Sequence, residues 1–398
     1  MPGFEWLGEE ERRAVDEVMA RGVLFRYEFG DARAGQWKVK EFEEAFARYT
    51  GAAHALAVAS GTAALKVGLS ALGIGPGDEV ITQGFTFVAT WEAILDTGAE
   101  VVFCEVDETL CMDPEDLKRK ITPRTRCIVP VHMLGGAARI SEIVDIARSR
   151  GIAVLEDTAQ AVGASVGGKH LGTFGDVGTF SFDSVKTLTT GEGGMVVCAE
   201  EEIWRNASEY HDHGHDHRPV GRGNEGRRFI GFNYRMMELQ GAIGLEQLKK
   251  LPRMLETYRS HHQVLAEAIS RVPGAHLREQ VDAAGDSCTF ISWFMPTEAQ
   301  ARALAMALAE EGAAAVYWGD NTWHTYHNWE HLHAGASVIK SGWPFVRPDG
   351  RRLEYAPGAL PATEGLLKRC LSWQIMLNWD GQQLEKMVSA LEKAAARM

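Results

Sequence analysis

The sequence predicts an α/β fold in which helices cover a mainly parallel sheet, followed by a smaller α+β domain. Between about residues 50 and 200, short β-branched runs alternate with helical patterns, which is the order of repeated β-α-β units. Beyond Pro252 the pattern changes to long helical stretches. We therefore expect a large domain at residues 1–250, with an N-terminal helical segment, and a small domain at residues 251–398.

Six apolar runs predict strands, and helical patterns lie between and after them. The predicted strands are DEVIT, EVVFCEV, TRCIVPVHM, IAVLED, VGTFSF and GGMVVCA. The predicted helices are AALKVGLSALGI, FVATWEAILDTG and ISEIVDIARSRG in the large domain, and MLETYRSHHQVLAEAISRV, TEAQARALAMALAEEG and QQLEKMVSALEKAAARM in the small one. Parallel sheets bind their ligands at the carboxyl ends of the strands, so the residues that follow these runs are the candidates for a functional site.

Composition and charge exclude several classes of protein. The 398 residues, 45% hydrophobic and 24% charged, indicate a soluble globular chain, and the formal net charge of −13 is unfavourable for contact with nucleic acid or an anionic membrane. No run of 18 apolar residues occurs, and the acidic N-terminal stretch is unlike a secretory signal. The six cysteines lack CxxC spacing, so we expect reduced thiols and a cytoplasmic protein.

The first candidate site lies in SGTAALKVGL, residues 60–69. Ser60 is suited to cap a helix, and Gly61 and Thr62 would open that helix with free backbone N–H groups that can bind a phosphate. A capped helix start serves structure far more often than ligand binding, so this motif alone is weak evidence.

The second candidate site lies in LEDTAQAVGA, where Glu156 and Asp157 end an apolar strand. A carboxylate at a buried strand end is costly unless a cation or a strong donor meets it, and a protonated pyridine nitrogen is such a partner. Gln160 could then bond the phenolic oxygen of the same ring. Capping of a following helix is an equally good explanation of the aspartate.

The third candidate site is TFSFDSVKTLTTGEGGMVV, residues 179–197, in which Lys186 follows a strand that we expect to be buried. An amine that exchanges imines must be unprotonated part of the time, and burial beside a cofactor cation lowers its pKa. Ser181 could reach a phosphate. The alternative is that Lys186 is a solvated loop charge, as most lysines are.

Together, and in this order, the motifs resemble the DegT/DnrJ/EryC1/StrS family of sugar aminotransferases. The matching segments are SGTAAL (60–65), FTFVAT (85–90), PVHMLG (130–135), EDTAQAVGA (156–164), GTFGDVGTFSFDSVKTLTTGEGGMVV (172–197) and FNYRMMELQGAIGLEQL (232–248). The resemblance implies an aspartate-aminotransferase-like fold of type I with a seven-stranded sheet. It also implies a homodimer with shared active sites, and pyridoxal 5'-phosphate as cofactor with pyridoxamine 5'-phosphate as its intermediate form.

The resemblance also assigns roles to residues. Lys186 becomes the Schiff-base lysine and proton shuttle, Asp157 the partner of the ring nitrogen, and Phe87 an aromatic side chain stacked on the ring. The remaining implied cofactor contacts are Gly61, Thr62 and Ser181 at the phosphate, Gln160 at the ring oxygen, and Asn233 at the phosphate of the neighbouring subunit.

Lysine at position 186 bears on the reaction. Sugar dehydratases of this family resemble the sequence but have histidine there, so the lysine favours transamination from L-glutamate to an oxidised sugar. Two rival functions remain: a pyridoxal-phosphate-dependent sugar dehydratase, and a regulator or binding protein that keeps the fold without the chemistry. The second rival predicts loss of Lys186 or Asp157, and both residues are present.

Four further stretches resemble one branch of the family, which aminates the C8 aldehyde of 8-oxo-3,8-dideoxy-manno-octulosonate to give 8-amino-3,8-dideoxy-manno-octulosonate for lipopolysaccharide. These stretches are MPGFEWLGEEERRAVDEVM, VDETLCMDPE (106–115), HDHGHDH (211–217) and YWGDNTWHTYHNWEHL (317–332). The alternative substrate is a 3- or 4-keto nucleotide-linked deoxysugar of a surface polysaccharide or antibiotic pathway.

A free sugar acid needs cationic side chains around its carboxylate. The candidates are His211, His213, His215, His217, Arg218, Arg222, Arg227 and Arg228. Alternating histidines of an extended strand share one face without closing a tetrahedron, so we expect no metal and interpret this run as a substrate-lining or solvated loop. Four aromatic residues either line a sugar pocket or pack the small domain: Trp318, Trp323, Tyr326 and Trp329. We expect packing for at least two of them.

Overall fold

Seven strands form a central sheet in the computed structural model, which describes residues 3–218, 220 and 223–398. The strands of the large domain are His54–Val58 (β1), Glu79–Gln83 (β2), Glu100–Cys104 (β3), Thr125–Val129 (β4), Ala153–Asp157 (β5), Ser165–Val166 (β6), Lys169–His170 (β7), Val177–Ser181 (β8) and Gly194–Cys198 (β9). The order in the sheet is β1-β9-β8-β5-β4-β2-β3, and β6 and β7 form a separate hairpin.

The sheet is mainly parallel, as predicted. Strands β8, β5, β4, β2 and β3 pair in parallel, and β9 lies antiparallel between β8 and β1. The carboxyl ends of β1, β2, β4, β5 and β8 therefore meet at one edge. The sequence HALAV of β1 was not among the predicted strands because it contains a single β-branched residue.

Helices cover both faces of the sheet. Those of the first part of the chain are Glu9–Arg21 (α1), Lys38–Thr50 (α2), Gly61–Ala71 (α3), Val88–Asp96 (α4), Pro114–Lys120 (α5), Ile140–Arg148 (α6) and Glu201–Tyr210 (α7). Helix α6 buries Ile140, Ile143, Val144 and Ala147, the spacing of one helical face. It packs with α5 on one side of the sheet, whereas α3 and α4 pack on the other.

A long helix, Glu238–Ile269 (α8), leads into the small domain. The elements that follow are His276–Leu277 (β10), Phe290–Phe294 (β11), Glu298–Glu310 (α9), Val316–Tyr317 (β12), Glu330–His333 (α10), Pro361–Leu367 (α11), Cys370–Gln374 (β13) and Gly381–Ala395 (α12). Strands β10-β11-β13-β12 form an antiparallel sheet, which confirms the smaller α+β part. Helix α8 continues through residue 250 and Pro252 because packing of its buried side chains stabilises it. Residue 250 therefore lies inside a helix, and the domain boundary there stays a prediction.

The aromatic segment after β12 returns to the large domain. Trp318, Tyr326 and Trp329 are buried, as expected for at least two of the four aromatic residues, whereas Trp323 is 60% exposed. A β-bridge joins Phe85 to Thr325, and the N–H of Tyr326 donates to the carbonyl of Gly84 at 2.9 Å. The segment is thereby fixed to the loop that follows β2.

All six cysteines are free and buried. In the described ranges, none of the helices is long and apolar enough to cross a membrane.

The aromatic cluster beneath the sheet generates a prediction about stability. Phe46 is fully buried, and its ring lies 4.9 Å from that of Phe180 and 5.6 Å from that of Phe182. Phe46→Ala should lower the free energy of unfolding by about 3–5 kcal/mol because it leaves a cavity. Met306→Ala, at a side chain that is 67% exposed, is the control and should change it by less than about 0.5 kcal/mol. Urea unfolding followed by tryptophan fluorescence measures both; equal losses would contradict the cluster's role.

Candidate active site

A cavity of about 260 Å³ opens at the carboxyl ends of the parallel strands. Its walls come from the loops after β2, β4, β5 and β8 and from the start of α3. The predicted cofactor residues that line it are Gly61, Thr62, Phe87, Asp157, Gln160, Ser181 and Lys186. Three motifs that were ambiguous one by one therefore meet in one place.

The start of α3 is suited to hold a phosphate. Ser60 caps the helix, because its hydroxyl accepts a hydrogen bond from the N–H of Ala63 at 3.1 Å. A Cβ at Gly61 would lie 2.6 Å from the Cβ of Ser181, so only glycine allows this close approach. The helix N-terminus and the hydroxyl of Ser181 thus face the same end of the cavity, where N–H groups and the helix dipole favour an anion.

The carboxylate of Asp157 is 3% exposed and also lines the cavity. Its Oδ2 accepts from the hydroxyl of Thr90 at 2.8 Å, and its Oδ1 accepts from the N–H of Ala159 at 3.1 Å. Burial raises the pKa of Asp157, while these two hydrogen bonds and the charge of Lys186 oppose the rise. A protonated pyridine nitrogen would supply the cation that this buried carboxylate needs.

The neighbouring Glu156 has a structural role instead. Its Oε1 accepts from the N–H groups of Phe174 at 2.6 Å and Gly175 at 2.7 Å, and its Oε2 accepts from Gly172 at 2.8 Å. His132 Nε2 lies 3.0 Å from the same Oε2, and both side chains are fully buried. The two carboxylates of the motif therefore point to opposite sides of β5, and only Asp157 lines the cavity.

Lys186 lies in a tight turn after β8 and is partly buried. The N–H of Lys186 donates to the carbonyl of Asp183 at 3.0 Å, and the carboxylate of Asp183 accepts from the N–H of Val185 at 3.0 Å. Burial lowers the pKa of Lys186, and the charges of Asp157 and Asp183 oppose that change. The solvated alternative for this lysine is therefore wrong, and its amine has the environment that imine exchange requires.

The N-terminal segment contacts the turn of Lys186, which sequence reasoning missed. The N–H of Gly3 donates to the carbonyl of Lys186 at 2.9 Å, and a Cβ at Gly3 would lie 2.2 Å from the carbonyl oxygen of Thr187. Two residues further on, the carboxylate of Glu5 accepts from the N–H of Leu377 at 2.7 Å. The segment thus connects the lysine turn to the small domain.

Sequence reasoning also missed five polar residues that line the cavity: Thr86, Thr90, Asp183, Glu192 and His324. All of these except His324 lie inside the motifs at 85–90 and 179–197, so their neighbours in those motifs are the available signal. His324 lies in the aromatic segment at 317–332, where only the tryptophans and the tyrosine stand out in the sequence as candidates for a sugar pocket. It reaches the site because the N–H of Thr86 donates to its carbonyl at 3.0 Å.

The histidine run does not line this cavity within the same chain. His211 Nε2 lies 3.0 Å from the hydroxyl of Tyr27, and burial holds the pKa of His211 well below its usual range. His215 Nε2 lies 2.7 Å from the guanidinium of Arg227, and His217 Nε2 lies 3.3 Å from a backbone carbonyl. Among the described residues, no three histidine, cysteine or acidic side chains are grouped to hold a metal ion.

The other substrate candidates are dispersed. His213 is exposed and lies outside the cavity. Arg218 and Arg228 also lie outside it, where Arg218 forms an ion pair with Asp216 at 2.9 Å and Arg228 one with Glu209 at 3.1 Å. Arg222 lies outside the described residues. Trp323 is not among the lining residues either, but its ring is parallel to that of Phe87, which does line the cavity, at 5.8 Å. A substrate role for the histidines and arginines stays a prediction, and it would require the cavity of a second subunit.

Asn233 is exposed and does not line the cavity of its own chain. Its side chain accepts from the N–H of Arg235 at 3.3 Å, and its backbone forms a β-bridge with Asp212. The contact with a neighbouring subunit's phosphate that the family resemblance implies therefore stays a prediction.

The fold and the site define a pyridoxal-phosphate-dependent aminotransferase. A buried carboxylate, an amine of lowered pKa and a helix N-terminus surround one cavity of a mainly parallel seven-stranded sheet. The chain belongs to the DegT/DnrJ/EryC1/StrS aminotransferase family, which it matches over residues 7–341. Structures of two proteins with this fold contain pyridoxamine phosphate and hydrated pyridoxal phosphate.

Three relatives illustrate the similarity. The spore coat polysaccharide biosynthesis protein SpsC of Bacillus subtilis (strain 168) is 38% identical over 275 residues, 67% of this chain and 68% of SpsC. A GDP-perosamine synthase of Caulobacter vibrioides is 39% identical over 248 residues, 60% of this chain and 65% of that enzyme. The crystal structure of 3-amino-5-hydroxybenzoic acid synthase is 29% identical with a TM-score of 0.82, covering 98% of this chain and 97% of that one. The matches to the two sequence relatives span about two thirds of each relative's length.

Residues that hold pyridoxal phosphate can be named from this geometry. Gly61, Thr62 and Ser181 line the cavity beside the helix N-terminus and would hold its phosphate, and the buried carboxylate of Asp157 would pair with its ring nitrogen. Gln160 uses its oxygen to accept from the N–H of Leu134 at 3.1 Å, which leaves the amide nitrogen free to donate to a ring oxygen. The described residues therefore fit the cofactor.

The contact of Gly3 with the turn of Lys186 predicts that a substitution at Gly3, far from Lys186 in the sequence, weakens cofactor binding. Gly3→Ala should displace the N-terminal segment and loosen the turn of Lys186, so cofactor retention after gel filtration should fall while the circular dichroism spectrum is kept. Gly30→Ala is the matched control, because a Cβ at Gly30 meets no atom within 4 Å. Full cofactor retention in Gly3→Ala would show that the segment does not position the lysine.

The environment of Lys186 predicts a pH dependence. Because its pKa is lowered by burial, labelling of Lys186 by trinitrobenzene sulfonate in cofactor-free protein should level off at a lower pH than in the urea-unfolded protein. Asp157→Asn removes a charge that raises this pKa, so the folded variant should level off at a still lower pH. Peptide mass spectrometry at position 186 gives both curves. Coincident curves for folded and unfolded protein would exclude the lowered pKa.

Proposed function

We propose that this protein transfers an amino group from L-glutamate to the carbonyl group of a sugar. The observation that carries the proposal is that Lys186 and Asp157 line one cavity, in which the charge of each acts on the pKa of the other. Membership of a family of sugar aminotransferases supports the substrate class.

Each residue has a separate task in this reaction. The bound cofactor supplies a carbonyl group that accepts the amino group of glutamate and a ring that withdraws electrons. Asp157 keeps the ring nitrogen protonated, which maintains that withdrawal. Lys186, once free, takes the proton from the α-carbon of glutamate and in the second half of the cycle returns a proton to the carbon of the sugar that is aminated.

The neighbouring side chains keep the reacting groups in place. Gly61, Thr62 and Ser181 hold the phosphate, and Phe87, whose ring is parallel to that of Trp323 at 5.8 Å, lines the cavity as an aromatic wall for the cofactor ring.

The acceptor that we propose first is a keto sugar linked to a nucleotide. The names of two relatives, a GDP-perosamine synthase and a spore coat polysaccharide protein, support it. Among the described residues that line the cavity, Asp157, Asp183 and Glu192 are acidic, and Lys186 is the one lysine or arginine. The charge of these walls attracts neither a diphosphate nor a sugar carboxylate, so the support for this acceptor comes from the relatives.

The C8 aldehyde of 8-oxo-3,8-dideoxy-manno-octulosonate is the second candidate acceptor. Four sequence stretches that resemble the branch aminating this sugar support it. Its carboxylate would need the cationic residues of the 211–228 region, which lie outside the cavity of their own chain.

We also propose that the protein acts as a homodimer. Exposed apolar side chains cluster in sequence beside Asn233: Ile230 is 82%, Phe232 49% and Met237 45% exposed. Cover by a second copy would remove this apolar surface from water and could bring Asn233 and the histidine run to the other copy's cavity.

A dehydratase is the rival that shares the cofactor. The E. coli GDP-4-keto-6-deoxy-D-mannose-3-dehydratase has the same fold, with a TM-score of 0.81 at 24% identity, so likeness of fold does not separate the two reactions. Lys186 favours transamination because the dehydratases of the family have histidine at this place. Release of 2-oxoglutarate from glutamate distinguishes them.

The test is a glutamate-dependent assay with 3- and 4-keto nucleotide sugars and 8-oxo-3,8-dideoxy-manno-octulosonate, followed by mass spectrometry of the amino sugar. Lys186→Ala should lower turnover by about 10²–10⁴-fold because proton transfer is lost. Asp157→Asn should lower it by about 10–100-fold, since a hydrogen bond to a charged group is lost. Lys169→Ala, at an exposed lysine, is the matched control and should keep full turnover. Full activity of Lys186→Ala, or sugar dehydration without 2-oxoglutarate, would contradict the proposal.

A further inference from the structure

His324 brings a second nitrogen base to the cavity from a segment far from the family motifs. Its carbonyl accepts from the N–H of Thr86 at 3.0 Å, and the next residue, Thr325, forms a β-bridge with Phe85. The imidazole ring lies 5.5 Å from the ring of Phe87 and 5.5 Å from that of Trp318. The position of the ring is therefore fixed by backbone pairing and by two aromatic contacts.

The contacts of Asn321 determine which imidazole nitrogen carries the proton. Asn321 Oδ1 accepts from the backbone N–H of Trp323 at 3.0 Å and of His324 at 2.8 Å, so this atom is an oxygen that acts as acceptor. His324 Nδ1 lies 3.2 Å from the same atom. Two acceptors do not bond to each other, so Nδ1 must be the protonated nitrogen.

The other nitrogen, Nε2, is then an acceptor that no described residue satisfies. The ring is neutral near pH 7, because burial, and secondly the charge of Lys186, lower the pKa of His324 to about 4. A neutral imidazole with its proton on Nδ1 has a lone pair at Nε2 and cannot donate there. The residue lines the cavity, so a ligand in the cavity can supply the missing donor.

We propose that Nε2 of His324 accepts a hydrogen bond from a hydroxyl of the sugar beside the carbonyl that is aminated. This inference rests on the proposed function, since it concerns the acceptor of that reaction. The two substrates differ in what they offer: the side chain of glutamate ends in a carboxylate, which is an acceptor, whereas a keto sugar presents hydroxyl donors next to its carbonyl. A lone pair therefore favours the sugar and disfavours a carboxylate at this wall.

The neighbouring polar groups fit the same ligand. Asp183 and Glu192 also line the cavity and offer acceptor oxygens. Three acceptors around one space suit a ligand with several hydroxyl groups. His324 is thus a specificity-determining residue for the second half of the cycle, in which the sugar is aminated, and not for the first half, in which glutamate gives up its amino group.

The experiment separates the two half-reactions of the holoenzyme. The pyridoxal form is mixed with L-glutamate, and the pyridoxamine form is mixed with GDP-4-keto-6-deoxymannose; each is followed by the absorbance of the cofactor. Binding of the unreactive 4-alcohol of the same nucleotide sugar to the pyridoxamine form is measured by calorimetry. The variants are His324→Leu, which removes the acceptor, and His324→Gln, which keeps an acceptor oxygen. His331→Gln is the control, since His331 is half-exposed and lies 4.0 Å from Glu92.

In His324→Leu, we expect the second-order rate constant with the sugar to fall roughly tenfold and the dissociation constant of the 4-alcohol to rise roughly tenfold, the effect of one lost hydrogen bond. The rate with glutamate should stay within about twofold of wild type. His324→Gln should recover part of the sugar rate, and His331→Gln should match wild type.

The outcomes separate this inference from the proposed function. If His324→Leu slows both half-reactions equally, or leaves sugar binding unchanged, the role of His324 is refuted while the aminotransferase proposal stands. If the wild-type enzyme takes the amino group from glutamate but neither aminates the keto sugar nor binds its alcohol, the first-proposed substrate class is refuted, and the assignment of His324 to that sugar is refuted with it.

Discussion

The buried carboxylate of Asp157, which lines one cavity together with Lys186, is the constraint on which the site depends. An ionised carboxylate that is 3% exposed is costly unless a cation meets it. Hydrogen bonds from Thr90 and Ala159 meet part of this cost, and the protonated ring of the cofactor would meet the rest. Burial in the same cavity also lowers the pKa of Lys186, which increases the unprotonated fraction of its amine.

The sheet makes this arrangement possible because six strands run in the same direction and end at one edge. Asp157 ends β5, and Lys186 follows β8, so the two residues approach although 28 positions separate them in the chain. The phosphate end is built likewise, where the helix after β1 places Gly61 against Ser181. The segment after β12 contributes His324 to the lining of the same cavity. The residues that we propose for chemistry, cofactor binding and sugar recognition thus come from different parts of the chain and line one cavity.

The parts of the site that the sequence predicts are those that follow directly from a strand end or a helix start. Asp157 and Lys186 are of this kind, because the period of the apolar residues locates the strands. Gly3 and His324 are not, since each reaches the site through backbone contacts between segments far apart in the chain, which no local pattern encodes. Strand β1 was missed for a related reason: the partner β9, and not its own composition, stabilises it.

The most direct test of the account is to find where the cofactor is attached. Borohydride reduction of the purified protein with pyridoxal phosphate, followed by proteolysis and mass spectrometry, identifies the modified lysine. The account predicts one stoichiometric modification on the peptide that contains Lys186, and its weakening in Asp157→Asn. Modification spread over surface lysines, with residue 186 left unmodified, would contradict it.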